Sequence, residues 1–293
     1  MRSSRLVPIV AGLSALAPRY DGYILDLWGV LHDGVRAYPG AVACLTELRR
    51  HGKGIVILSN APRRAAEVAR RTAELGLGPD LYDWLLSSGE EAWGHLCQRQ
   101  DTWYAGLGRR AFCFMAGRDL GLLDGLDLET VDDVAKADFL LALGVESAND
   151  RVADFEAALA AAARRGLPMV CANPDLEVVR DGVREICAGA LARRYEELGG
   201  SVRYHGKPHG SVYQACLARL GLAPARVLGV GDSLRTDIAG AIGAGIDSVL
   251  VTGGIHAEEL GVAAGASPDP VRLAEACRRA GHLPTAAIGA FVW

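Results

Sequence analysis

The segment Ile24-Leu25-Asp26-Leu27-Trp28-Gly29-Val30-Leu31-His32-Asp33-Gly34 runs as an apolar strand that stops on an aspartate, turns at a glycine and ends in a polar pair. A carboxylate at the end of a buried strand can ligate a cation, or attack an electrophile once its charge is offset. Taken alone, the same aspartate also reads as a helix cap or a turn residue. The decision lies in what recurs along the chain. Ile57-Leu58-Ser59-Asn60-Ala61-Pro62 and Leu228-Gly229-Val230-Gly231-Asp232 also close apolar runs on polar side chains. In open parallel sheets ligands bind beyond the carboxyl ends of the strands, so these three endings are where chemistry is expected.

Outward from these segments, short apolar runs alternate with Ala/Arg/Glu-rich helical patterns. The runs Gly22–Leu27, Gly54–Ser59, Ala111–Met115, Phe139–Leu143, Pro168–Ala172, Arg226–Val230 and Ser248–Val251 read as strands. Between and beyond them, Ala41–His51, Pro62–Leu75, Glu90–Gln98, Ala148–Arg165, Ala188–Leu198, Ser211–Leu220, Thr236–Ala244 and Pro270–Ala280 read as helices. Such alternation predicts an α/β fold on a parallel sheet. At 293 residues the chain has room for two domains, and half of its residues are hydrophobic. A net charge of −4 leaves no electrostatic footprint for nucleic acid. Arg2 and Arg5 before the apolar stretch Leu6–Ala17 imitate a signal peptide. Pro8 and Gly12 interrupt it, and the stretch is read instead as an amphipathic lead-in helix. No run approaches the length of a membrane span, and the expected location is cytoplasmic. Seven cysteines without a C-x-x-C pair read as buried free thiols of a reduced compartment.

Only three of the 31 basic residues are lysine, Lys53, Lys136 and Lys207. Lys207 stands in Gly206-Lys207-Pro208-His209, a turn before a helix, where it could neutralise both a carboxylate and a phosphate. The alternative is a solvated surface charge. In Gly231-Asp232-Ser233-Leu234-Arg235-Thr236-Asp237 two aspartates five apart bracket a strand-to-helix turn. Asp232 is placed to hold a hard cation through oxygen, and Asp237 to hold the lysine or an outer water. A dinucleotide-binding reading of Gly229 and Gly231 fails, because Leu234 occupies the third glycine position. Ser59 and the amides after it suit a phosphate at a helix N-terminus, although a plain Ser/Asn cap explains them as well.

In this order, the Asp strand end, the Ser-Asn strand end, the Lys turn and the Gly-Asp-x4-Asp strand end resemble the haloacid dehalogenase superfamily of phosphohydrolases. The likeness runs from about Ile24 to Gly253 and is narrower still to class IIA, in which a large α/β cap is inserted between the second and third motifs. Ala172-Asn173-Pro174-Asp175 and Cys187-Ala188-Gly189-Ala190 are similar to cap segments near the substrate. The resemblance implies a Rossmann-like parallel-sheet core over residues 1–103 and 203–293, with the cap over 104–202. It implies Asp26 as the nucleophile that forms an aspartyl-phosphate, and Ser59, Asn60 and Lys207 as phosphate-binding residues. It implies Mg²⁺ held by Asp26, the Trp28 carbonyl, Asp232 and Asp237. Asn173, Asp175 and Arg180 become candidate substrate contacts, and the partner expected is a small phosphorylated metabolite. A homodimer stays open, the apolar end Phe291-Val292-Trp293 packing on the core or on a second subunit.

The chain departs from the family at one position. Relatives carry a second aspartate two residues after the nucleophile as general acid and base, and this chain has Trp28 there. Loss of such a group is typically worth ~10²–10⁴-fold in rate. His32 or Asp33 could supply the proton, although each also reads as a turn or flap residue, or the substrate could carry a good leaving group such as an anomeric, enol or acyl phosphate. The other readings are a non-catalytic homologue that binds Mg²⁺ and a phosphate ligand, or a hydrolase of dehalogenase or phosphonate-cleaving type.

Overall fold

The computed structural model describes residues 6–114, 121–180, 182–263 and 265–293. Thirteen strands appear among them. In chain order they are β1 (Gly22–Leu25), β2 (Gly54–Ser59), β3 (Trp84–Ser87), β4 (Arg110–Phe114), β5 (Glu129–Val131), β6 (Phe139–Ala142) and β7 (Pro168–Cys171). There follow β8 (Glu177–Arg180), β9 (Val183–Ile186), β10 (Ser201–Tyr204), β11 (Val227–Gly231), β12 (Asp247–Val251) and β13 (Ala286–Ile288). Met115, the last residue of one predicted strand, lies outside the described residues, as do Arg2 and Arg5.

The chain divides into two compact units, one of residues 1–59, 69–86 and 207–293, the other of 60–68 and 87–206. The first is built on a six-stranded sheet in the order β13-β12-β11-β1-β2-β3. Strand β1 sits between β2 and β11 and runs parallel to both, with Leu25 beside Ile57 and Val230. The three strands whose endings stood out in the sequence are therefore neighbours, and their carboxyl ends lie level. Ile24, Val56, Leu58 and Val227 pack with Val212, Tyr213 and Cys216 of helix Gly210–Leu220. Leu250 and Ala287 pack with Leu273 and Cys277 of helix Pro270–Ala280.

The second unit holds a five-stranded sheet in the order β10-β7-β6-β4-β5, parallel throughout, and the antiparallel pair β8–β9. Strand β6 shows why its sequence is an unbroken apolar run. Leu140 and Ala142 face one cluster, with Leu159, Leu191 and Tyr195, while Phe139 and Leu141 face another, with Ala92, Leu96 and Tyr104. A parallel strand covered on both faces has no polar side. Helix Ser88–Gln98 packs here, through Ala92 and Leu96, so contacts group the chain with the second unit from Ser87 rather than from the expected Tyr104.

Other expectations change. Leu6–Ala17 is not a helix. Ile9 bridges Ala287 in parallel, Val10 N–H donates to the Ala287 carbonyl at 2.9 Å, and only short 3₁₀ turns follow at Leu13–Ala15 and Ala17–Arg19. Pro8 has no amide hydrogen to give a helix, and its carbonyl instead accepts from Ala287 at 2.8 Å. Helix Glu156–Arg164 starts well after the predicted Ala148, because the carboxylates of Asp150 and Asp154 take the amides of Glu146, Ser147 and Arg151 in turns before it. The segment predicted as helix from Thr236 opens as a π-helical turn, Leu234–Ile238, before Ala239–Gly243. Strands β3, β5, β8, β9, β10 and β13 went unread; they are three or four residues long, and β5, β8, β9 and β10 are only partly buried. All seven cysteines are free and six are buried, Cys97 being exposed. Phe291 is buried in the first unit, and among the described residues no helix is long and apolar enough to cross a membrane.

Candidate active site

Asp26 directly follows β1, and its amide donates to the Val230 carbonyl at 2.9 Å, so the backbone is still held in sheet register at the carboxylate. Its Oδ1 accepts from Leu27 N–H at 2.7 Å and lies 2.6 Å from Lys207 Nζ. The same ammonium donates to Asp237 Oδ1 at 2.8 Å. Asp237 Oδ2 in turn accepts from Ser233 N–H at 3.1 Å, and Asp232 Oδ2 accepts from Ile255 N–H at 2.7 Å. Glycine permits this density of carboxylates. A Cβ on Gly231 would stand 2.0 Å from the Asp237 carboxyl carbon. One on Gly29, which has φ +73°, would stand 1.8 Å from Asp232 Oδ2. Neither position tolerates a side chain. Tyr213 closes the back of the site, its hydroxyl donating to the Asp237 carbonyl at 3.1 Å.

The electrostatics ask for a cation. Asp26, Asp232 and Asp237 are all buried and offer oxygen atoms within 4.8 Å of one another, against one ammonium, Lys207, which is 2% exposed. Burial first, then the charges of Asp26 and Asp237, push the Asp232 carboxyl well above its ordinary range, despite the Ile255 amide and Lys207. Three buried carboxylates around the Lys207 ammonium fit a hard divalent cation bound through oxygen, and fit soft or redox metals poorly.

Two known families match the parts of the chain that form this site. The haloacid dehalogenase-like hydrolase family matches residues 23–129, and a HAD-hydrolase-like family matches residues 204–276. A haloacid dehalogenase-like hydrolase from Brucella suis, whose crystal structure is known, superimposes with a TM-score of 0.82 at 32% identity, over 97% of this chain and 100% of that one. The chain belongs to the haloacid dehalogenase superfamily. Human chronophin is 32% identical over 257 residues, 84% of this chain and 85% of its own. The glycerol phosphate phosphatase of Mycobacterium tuberculosis, solved in complex with magnesium, has a TM-score of 0.62 at 25% identity, over 88% of this chain and 78% of its own.

In this member of the superfamily the other predicted residues take separate places. Ser59 is fully buried at the end of β2. Trp28 is half-buried and meets His32 edge-on, ring centres 5.1 Å apart. His32 is buried, and its Nδ1 accepts from Gly34 N–H at 3.0 Å, so in the neutral ring the proton sits on Nε2. Asp33 is engaged in a turn: its Oδ1 accepts from the amides of Val35 and Arg36, each at 2.9 Å, and Oδ2 pairs with the Arg36 guanidinium. Burial pushes its carboxyl up, but the Arg36 and Val35 hydrogen bonds outweigh that and hold it below the ordinary range.

Within the second unit, Asn60 Nδ2 donates to Asp175 Oδ1 at 2.9 Å, and Asp175 N–H donates to Asn173 Oδ1 at 3.1 Å. Asn60, read as a phosphate ligand, and Asn173 and Asp175, read as substrate contacts, thus form one network. Arg180 stands outside it, paired with Glu185 at 3.3 Å across the β8–β9 hairpin. Sequence reasoning missed Tyr213 and the Ile255 amide. It also missed a cluster of Glu91, His95, Tyr104 and His205 in the second unit. Burial, then the neighbouring His205, holds the His95 imidazole below its ordinary range.

Proposed function

We propose that the chain hydrolyses phosphate monoesters or mixed anhydrides of a small metabolite through an aspartyl-phosphate on Asp26. The observation that carries this reading is the buried Lys207 ammonium bridging Asp26 and Asp237 at 2.6 and 2.8 Å beside Asp232. Leu27 N–H and Lys207 hold the Asp26 carboxylate through Oδ1, and one oxygen of that carboxylate is the nucleophile. That oxygen forms a bond to phosphorus as the bond to the leaving oxygen breaks. Water then attacks phosphorus, which releases phosphate and restores the carboxylate. Lys207 offsets charge on the nucleophile and on the phosphoryl oxygens, and Ser59 and the Asn60 amide orient those oxygens. Asp26, Asp232 and the Trp28 carbonyl are the groups that would hold Mg²⁺, with Asp237 supporting them. When bound, the ion adds the positive charge that phosphoryl transfer requires.

Trp28 leaves the site without the usual carboxylic acid. Of the two candidates to replace it, His32 is favoured over Asp33 as a hydrogen-bond donor to the leaving oxygen through Nε2–H, since Asp33 is tied into its turn. An imidazole donor, or none, suits a leaving group that needs little protonation. Acyl and anomeric phosphates are therefore the preferred substrate class. Substrate choice is assigned to the inserted unit, with Asn173, Asp175 and Arg180 as its candidate contacts.

The test is phosphate release from acetyl phosphate and from p-nitrophenyl phosphate, with and without Mg²⁺, beside Asp26→Asn. Expected is Mg²⁺-dependent release, faster for acetyl phosphate, that disappears in Asp26→Asn. Equal release by the variant would remove Asp26 as nucleophile. Binding of phosphate and Mg²⁺ without any turnover would favour the non-catalytic reading, and halide release without Mg²⁺ the dehalogenase reading.

A further inference from the structure

Glu91 and His95 lie four residues apart on helix Ser88–Gln98, so helical geometry puts both on one face. His205 arrives just past the end of β10, and the three side chains offer ligand atoms that all lie within 4.8 Å of one another. His205 Nδ1 is 3.2 Å from Glu91 Oε2. Two ligands ~2.0–2.1 Å from a shared tetrahedral zinc ion stand ~3.3 Å apart. The other nitrogen of the ring, Nε2, pairs with the buried Tyr104 hydroxyl, and Gly206 N–H donates to Glu91 Oε2 at 2.8 Å. Contacts of this kind orient histidine and carboxylate ligands behind a metal. An open pocket of about 400 Å³, lined by Glu91, His95, Gln98 and Asp101 among others, gives an entry path and room for a water in the fourth position.

We propose that Glu91, His95 and His205 form a zinc-binding site belonging to the second unit. Two imidazoles and one carboxylate select zinc over magnesium, which prefers an all-oxygen shell. The competing reading is a hydrogen-bonded network with no ion. That network already closes through Glu91, Gly206, His205 and Tyr104 and has no use for His95. His95 is exposed and stacks on Tyr104 and His205, with ring centres 5.1 and 5.0 Å apart. The metal reading adds to this ring packing the role of a third ligand, which the network alone does not use.

His95 therefore decides the test. The full chain is dialysed against Zn²⁺ in a large excess of Mg²⁺, which occupies the carboxylate box, and bound zinc is counted by elemental analysis. Co²⁺ in place of Zn²⁺ reports the ligand set by its visible absorption. Expected are one tightly held zinc per chain and the intense bands of four-coordinate Co²⁺, both lost in His95→Ala, whose circular dichroism and metal-free melting stay as in the parent. Tyr104→Phe is expected to keep the ion and hold it ~10–100-fold more weakly. Zinc uptake and a Co²⁺ spectrum unchanged in His95→Ala would overturn the proposal. So would a parent chain that takes up no zinc.

Discussion

The carboxylate box of the first unit is buried at the carboxyl ends of parallel strands, while the His-Glu-Tyr cluster of the second joins the buried His205 and Tyr104 to the half-buried Glu91 and the exposed His95 of a helix. They differ in how they are assembled. Asp26, Ser59 and Asp232 are each the last or next residue of a strand, and those strands are adjacent in the sheet. Each polar residue interrupts an apolar run, so the text itself marks the spot. Glu91 and His95 sit inside an ordinary surface-facing helical pattern, and their third member, His205, comes from beyond β10. Nothing local sets them apart. A site laid on consecutive strand ends is legible in sequence, whereas one shared by a helix face and a distant strand end is found only when the chain is folded.

The largest expected effect tests how far the first site depends on its one counter-charge. In Lys207→Met the Asp26 and Asp237 carboxylates stay buried without their ammonium, and removing one member of a buried ion pair costs about 3–5 kcal/mol. Urea unfolding is expected to show that loss, recovered in part by adding Mg²⁺, together with loss of phosphate release. A variant as stable as the parent would mean that the carboxylates are already screened by other means. Next comes Trp28→Asp, which restores the missing acid and is expected to raise p-nitrophenyl phosphate hydrolysis by ~10²–10⁴-fold, with less change for acetyl phosphate. No gain would show that the pocket rejects esters for reasons other than proton supply. The smallest effect belongs to the second cluster. Tyr104→Phe removes the hydroxyl from His205 and is expected to lower metal-free stability by ~1 kcal/mol. A loss as large as that of Lys207→Met would erase the energetic distinction between the two sites.

The same contrast governs what was legible in the fold. Strand β2 and helix Pro270–Ala280 kept their predicted limits, because an apolar run with a polar stop and a Pro–Gly-bracketed amphipathic pattern each leave one solution. The lead-in helix failed, because the pattern of Leu6–Ala17 records burial against β13 and not a period of its own. The short strands β5, β8, β9 and β10 are defined by their partners, and a run of three or four half-exposed residues carries too little periodicity to be read alone. The turn role of Asp33 was legible as one of two readings, since an aspartate before Gly34 accepts the next amides readily, and the Val35 and Arg36 amides decide it.

The order of the core sheet has a consequence for synthesis. Leu25 of β1 pairs with Val230 of β11, 205 residues later. At the ~5–20 residues per second of translation, roughly 10–40 s pass between the emergence of Asp26 and that of Asp232. Once β2 has emerged, β1 has it on one side and, until β11 docks, an open edge on the other. Asp26 and its counter-charge are thus brought together among the late events of the chain's biogenesis, and a product truncated before β11 would expose a bare hydrophobic strand edge.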